Sequence, residues 1–191
     1  MSFKFRHSSS RVSAWRRGLR LCPLLAACLC LPAASENARQ NLLKNGGFES
    51  VEPNGTPTGW TYITPAGETA DYKIITDKPK EGRQCLRIKA HATWAAAITA
   101  DRFPIDASKA YVLSGWLRVT RGQGLIKFDY FQGDQHLGQT MSELLGPGAD
   151  WKGVTVRTES SAYPAATHVI VTIAGLGELE CDFDALVLKA Q

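Results

Sequence analysis

Past its first 35 residues the chain has no apolar run long enough to cross a bilayer, which excludes a membrane-spanning helix in that part. It has no cluster of Lys and Arg there either. Six of the 22 basic residues, from Lys4 to Arg20, precede the first apolar run and no acid accompanies them. The rest of the chain holds 16 basic against 18 acidic residues, a net charge of −2, so the basic isoelectric point belongs to the leader and a nucleic-acid surface is not expected. Histidine is scarce. His7 lies in the leader, and His91, His136 and His168 stand at no metal-ligand spacing with another His or Cys. No Gly-x-Ser-x-Gly elbow is present, and acid pairs such as Asp129 with Asp134, or Glu178 with Glu180, have the spacing of solvated turns. The chain is therefore not expected to be an enzyme.

The leader itself is informative. A basic stretch, Met1 to Arg20, precedes about fourteen apolar residues, Leu21 to Ala34, and a small-residue site at Ala33-Ala34-Ser35. This order predicts a signal peptide over 1–35 and a secreted or periplasmic product. Leu25-Ala26-Ala27-Cys28 also reads as a lipobox, so lipid anchoring at Cys28 is the alternative, although Pro23 interrupts the apolar run. Residues 36–191 are enough for one domain.

In that domain no helical period is sustained. Short runs rich in Val, Ile, Thr and aromatics alternate with Gly, Pro, Asn and Asp, the signature of an all-β chain. Strands are expected at Asn41–Lys44, Gly59–Ile63, Asp71–Ile75, Gln84–Lys89, Trp94–Ala100, Tyr111–Thr120, Leu125–Gln132, His136–Leu144, Gly153–Glu159, Thr167–Ala174 and Asp182–Leu188. That number makes a β-sandwich the natural architecture. Arg121-Gly122-Gln123-Gly124 is expected to be a flexible turn between strands.

Alternation assigns faces. Tyr111, Leu113, Gly115, Leu117 and Val119 point inward, with Ser114, Trp116 and Arg118 outward; Ile126, Phe128 and Tyr130 oppose Lys127, Asp129 and Phe131. If the two strands are hairpin neighbours, Trp116, Arg118, Lys127, Asp129 and Phe131 share one outer face. Rings beside Arg, Lys and Asp suit a pyranose, whose C–H faces stack while its hydroxyls take donors and acceptors. Trp116 and Phe131 are the expected stacking residues, Arg118, Lys127, Asp129 and Gln132 the hydrogen-bonding ones, and Trp94 a border of the groove. Trp60 and Trp151 are expected to pack.

Several segments carry a resemblance. Asn41-Leu42-Leu43-Lys44-Asn45-Gly46-Gly47-Phe48-Glu49, Pro57-Thr58-Gly59-Trp60, the Gly82 to Ile88 stretch, Tyr111 to Arg118 and the terminal Phe183-Asp184-Ala185-Leu186 together resemble the CenC-type carbohydrate-binding modules (families 4, 9 and 22), which are galactose-binding-like jelly rolls. The resemblance implies a β-sandwich jelly roll and a carbohydrate partner. It also implies a structural Ca²⁺ held by Glu49, Asp184 and the carbonyls of Gly47 and Gly82, oxygen ligands of the kind calcium takes. A disulfide between Cys85 and Cys181 is implied in the same way. The function expected is that of an exported, monomeric, non-catalytic module binding a poly- or oligosaccharide. The alternative is a structural or adhesion module of the cell envelope contacting protein or polymer, since such modules usually accompany an enzyme and this chain stands alone.

Overall fold

Three long strands carry the architecture. The structure is a computed structural model that describes residues 40–159 and 161–191; the expected signal peptide, its cleavage site and Cys28 lie outside the described residues. Eight strands are formed: β1 (Trp60–Ile63), β2 (Thr69–Ile75), β3 (Cys85–Thr99), β4 (Phe103–Pro104), β5 (Tyr111–Gln132), β6 (Gln135–Met141), β7 (Lys152–Arg157) and β8 (His168–Ala190). All pairings are antiparallel, and no helix occurs among the described residues.

Each long strand serves two layers. The first layer runs β1, the second half of β3, the first half of β8, the second half of β5, and β6. The other runs β2, the first half of β3, the second half of β8, the first half of β5, and β7. Leu86, Ile88, Leu113, Leu117 and Phe183 from the second layer meet Ile126, Phe128, Tyr130, Val171 and Ile173 from the first in one buried cluster. The expected all-β sandwich is thus the fold.

The expected strand pairs at 111–120 and 125–132 are halves of β5, so they are not hairpin neighbours; both pair with β8. The same holds for Gln84–Lys89 with Trp94–Ala100 in β3, and for Thr167–Ala174 with Asp182–Leu188 in β8. In β5 and β8 glycine supplied the misleading signal. Gly122 has φ of +74°, and a Cβ there would lie 2.8 Å from the carbonyl oxygens of Leu176 and Glu178. Only glycine allows this approach, and it lets β5 bend between layers without leaving its partner. The supposed turn at 121–124 is therefore a bend inside a strand.

Asn41–Lys44 is no strand either. Asn41 instead closes the edge of β8, its Oδ1 accepting from Leu188 N at 2.9 Å and its Nδ2 donating to Leu186 O at 3.1 Å. The following turn is tied by Asn45, whose Nδ2 donates to Ser50 O and Thr58 O. A Cβ on Gly46 would sit 2.1 Å from Leu186 O, so that position admits only glycine. Phe48 and Trp60 pack at 5.2 Å between ring centroids, both buried, as expected of Trp60.

Candidate functional site

On the outer face of the first layer the five strands cup a cavity of about 510 Å³. That is within the size range of small-ligand sites. Register explains its composition. Ile63 of β1 pairs with Ala96 of β3; Trp94, Ala96 and Ile98 pair with Leu176, Ala174 and Thr172 of β8; Ala174 and Thr172 pair with Leu125 and Lys127 of β5; and Lys127 and Asp129 pair with Met141 and Gln139 of β6. Because side chains two apart share a face, these rows line one surface, and Leu144 beyond β6 completes it.

Polar groups gather toward one end. Asp129, 9% exposed, accepts from Thr172 Oγ1 at 2.6 Å and from Lys127 Nζ at 2.8 Å, with His136 Nε2 at 3.1 Å. Lys127 also donates to Gln139 Oε1 at 2.7 Å. The carboxylate is thus fixed on several sides before any ligand arrives, which keeps the geometry of the row rigid. Beyond it Phe131 stacks on His168, 5.6 Å between centroids and 10° between planes. His168 is buried with its Nε2 unpartnered. Burial, and then the Arg102 charge, lower its pKa. Gln132 sits exposed where β5 ends against Gln135.

Trp116 and Arg118 are elsewhere, on the outer face of the second layer. There Asp182, 1% exposed, accepts from Arg87 Nε at 2.6 Å and Nη2 at 2.9 Å, and from Arg118 Nη2 at 2.7 Å and Nε at 2.9 Å. Arg118 further donates to the carbonyls of Asp77 and Lys78, and Trp151 Nε1 donates to Lys78 O at 3.1 Å. Lys80 lies 3.6 Å from the centroid of the Trp116 ring. The 77–81 segment therefore covers Trp116 and Arg118, which fasten a loop to the sheet. Of the seven residues expected to bind, the structure brings Trp94, Lys127 and Asp129 to one cavity; Phe131 and Gln132 extend its strand, and Trp116 and Arg118 are separated from it by the bend in β5.

The residues expected to hold an ion converge, with their oxygens already engaged. Asp184 Oδ2 accepts from Lys80 N at 2.7 Å and Glu81 N at 3.0 Å, and Oδ1 from Ala185 N at 2.7 Å. Glu49 Oε1 accepts from Arg83 N at 2.7 Å and Gln84 N at 3.2 Å. Those backbone bonds lower the Glu49 pKa, whereas burial raises that of Asp184 against its own backbone bonds. Gly47 approaches Asp184 and Gly82 approaches Glu49, so all four pin the Lys80–Gln84 turn. These N–H bonds hold both carboxylates against one turn without using all of their lone pairs. Among the described residues no group of three or more His, Cys, Asp or Glu side chains converges as a metal site.

The expected disulfide is corrected by register. Cys85 and Cys181 are both free and buried. Leu86 and Ile88 of β3 face the core opposite Phe183 and Cys181, so Cys181 points inward and Cys85, one residue from Leu86, points outward. The thiols lie on opposite faces of one layer, about three residues apart along the ladder and roughly 10 Å at strand rise. Burial pushes the Cys85 thiol up to about 12 and also raises that of Cys181.

Sequence reasoning missed Ala96, Leu125, Ala174, Leu176, Gln139 and Met141. One signal was present: Trp94-Ala95-Ala96-Ala97-Ile98 is apolar on both faces, as a strand is when something covers it on each side.

No protein-family model matches the chain, and no curated protein matches it in sequence. Solved structures do match in fold. A xylan-binding domain, CBM22-1, of Paenibacillus barcinonensis aligns at a TM-score of 0.55 and 12% identity over 76% of this chain and 91% of that one. A cyclase of Fischerella sp. TAU, bound to an indole compound, aligns at 0.57 and 20% over 79% and 96%. The enzymatically active domain of tailspike protein 4 of bacteriophage CBA120 aligns at 0.60 and 10% over 79% of this chain, which spans only 21% of that domain. The fold is that of the β-sandwich carbohydrate-binding modules, a fold these cyclase and tailspike structures share.

Proposed function

We propose that this protein is a non-catalytic carbohydrate-binding domain that holds a glycan in the cavity on the outer face of the first layer. The observation that carries the reading is the cavity itself. It sets the partly exposed ring of Trp94 in one concave surface with Lys127, Asp129, Gln139 and Thr172. The apolar surface around Trp94 can pack against apolar parts of a glycan, and the polar row supplies partners for its hydroxyls. The likeness to a xylan-binding domain, spanning nearly all of that domain, supports the same reading. Binding without turnover is proposed because Asp129, the one carboxylate among the described residues that line the cavity, is already engaged by Lys127 and Thr172, whereas glycoside hydrolysis calls for a carboxylate pair. The reading includes export through the leader, with a secreted or periplasmic product, and a monomer. N-terminal sequencing of the exported protein would distinguish a start after Ser35 from a lipidated Cys28.

The test is affinity electrophoresis against a panel of soluble polysaccharides. At least one polysaccharide is expected to retard the protein, and Lys127→Ala to abolish the retardation with folding intact. Trp116→Ala should leave it in place, because Trp116 lies on the other layer. A panel without any retardation, or a Lys127→Ala protein retarded like the wild type, would defeat the proposal.

A further inference from the structure

We infer that the glycan this site takes carries an aromatic substituent, which lies on the apolar end of the cavity while the sugar lies on the polar end; this rests on the carbohydrate reading above. Nine of the thirteen lining residues are apolar, and six of them fill two adjacent ladder rows at one end. Trp94 faces Leu176 across one ladder, Ala174 lies between Ala96 and Leu125, and the polar groups begin only one pair further on, at Lys127 and Thr172.

This apolar end is not an overflow of the core. Ala96, Leu125 and Ala174, with Leu176 packed against them, form a buried cluster of their own, separate from the large cluster between the layers. On an outward sheet face such a cluster adds nothing to the core, and the exposed side chains of Trp94, Met141 and Leu144 around it, with polar residues at one end, mark a binding surface.

The chemistry of its occupant follows from what the patch lacks. A pyranose ring carries hydroxyls around its edge, and each one pressed against Leu125, Leu176 or Ala174 would be desolvated without a partner. A group with no donors or acceptors meets no such penalty. Flatness is indicated by the floor, where the two small side chains of Ala96 and Ala174 are adjacent, beside a Trp94 ring that is 38% exposed. A planar ring can lie on that floor and stack against Trp94 in the offset or tilted arrangements aromatic pairs prefer.

The experiment is isothermal titration of the full chain with matched methyl, cyclohexyl and phenyl β-glycosides of xylobiose, cellobiose and galactobiose. For the disaccharide that binds, the phenyl glycoside is expected to bind at least tenfold more tightly than the methyl one and measurably more tightly than the cyclohexyl one. Trp94→Ala, which removes a partly exposed side chain and should fold, is expected to bring phenyl and methyl glycosides to the same affinity. Equal affinity of methyl and phenyl glycosides in the wild type would overturn the inference and leave the carbohydrate reading standing. A cyclohexyl glycoside as tight as the phenyl one would overturn the aromatic assignment. If no glycoside binds, the inference falls, and the carbohydrate reading is decided by the polysaccharide panel.

Discussion

Replacing Asp182 by alanine tests the assignment of the second layer's outer face to structure. The carboxylate is 1% exposed and accepts four hydrogen bonds from two guanidinium groups, at 2.6 to 2.9 Å. Without it, Arg87 keeps only a 3.7 Å contact with Glu180, and Arg118 keeps two backbone carbonyls. Breaking a buried ion pair by removing one partner costs about 3–5 kcal/mol, because a charge is left buried without compensation. Arg87 and Arg118 retain some solvent access, with side chains 21% and 11% exposed, so the lower end, about 3 kcal/mol, applies. For a domain of this size that corresponds to a fall in Tm of about 6–12 °C. Differential scanning calorimetry measures it, and affinity electrophoresis on the folded variant should show glycan binding as in the wild type. A fall of under about 2 °C, or lost binding in a protein that still folds, would refute the separation of a structural face from a binding face.

Three further outcomes follow from the local chemistry. Cys85 and Cys181 should resist thiol reagents in the native protein and both react after unfolding without reductant, as peptide mapping by mass spectrometry would show; a peptide pair linked through them would reverse the register argument. The pKa of His168 is lowered by burial, so its folded value lies below its unfolded one; the stability tied to its neutral form is complete above pH 6.5 and is lost as pH falls through the folded value. Urea titrations at pH 7 and pH 5 should therefore show a smaller loss on acidification in His168→Phe than in the wild type, and equal losses would contradict this. Excess chelator should leave Tm unchanged, since Glu49 and Asp184 already accept backbone N–H groups; a calcium-dependent rise would mean that the Lys80–Gln84 turn rearranges around an ion.

Face assignment was legible in the sequence because alternation is a local property. Val154 and Val156 turn inward, as do Leu113, Leu117, Phe128 and Tyr130. Continuity between strands was not legible, because a glycine at a strand bend and a glycine at a turn look alike in one dimension; only the partner strand distinguishes them, and for Gly122 that partner is β8. The same limit divided the candidate site. Lys127, Asp129 and Trp94 could be placed on outer faces, but that Trp94 shares its face with Lys127 depends on β8 lying between β3 and β5. The apolar floor escaped notice because alanine and leucine on a strand read as core until the second face of the layer is known.

The two outer faces show how similar residue types acquire different roles. Each carries a tryptophan, basic side chains and a buried aspartate: Trp116, Arg118, Arg87 and Asp182 on one, Trp94, Lys127 and Asp129 on the other. On the second layer the guanidinium groups converge on a single carboxylate, and the 77–81 segment occupies the remaining donors of Arg118 and the indole N–H of Trp151. That network is closed, with the ring of Trp116 under Lys80. On the first layer no segment of the chain takes the equivalent place among the described residues, and the cavity above Ala96 and Ala174 remains open. Aromatic and charged composition alone therefore does not distinguish the covered face of this sandwich from the open one. The bend at Gly122 sends one half of β5 under a covering loop and the other to an uncovered surface, and the uncovered half carries the candidate site.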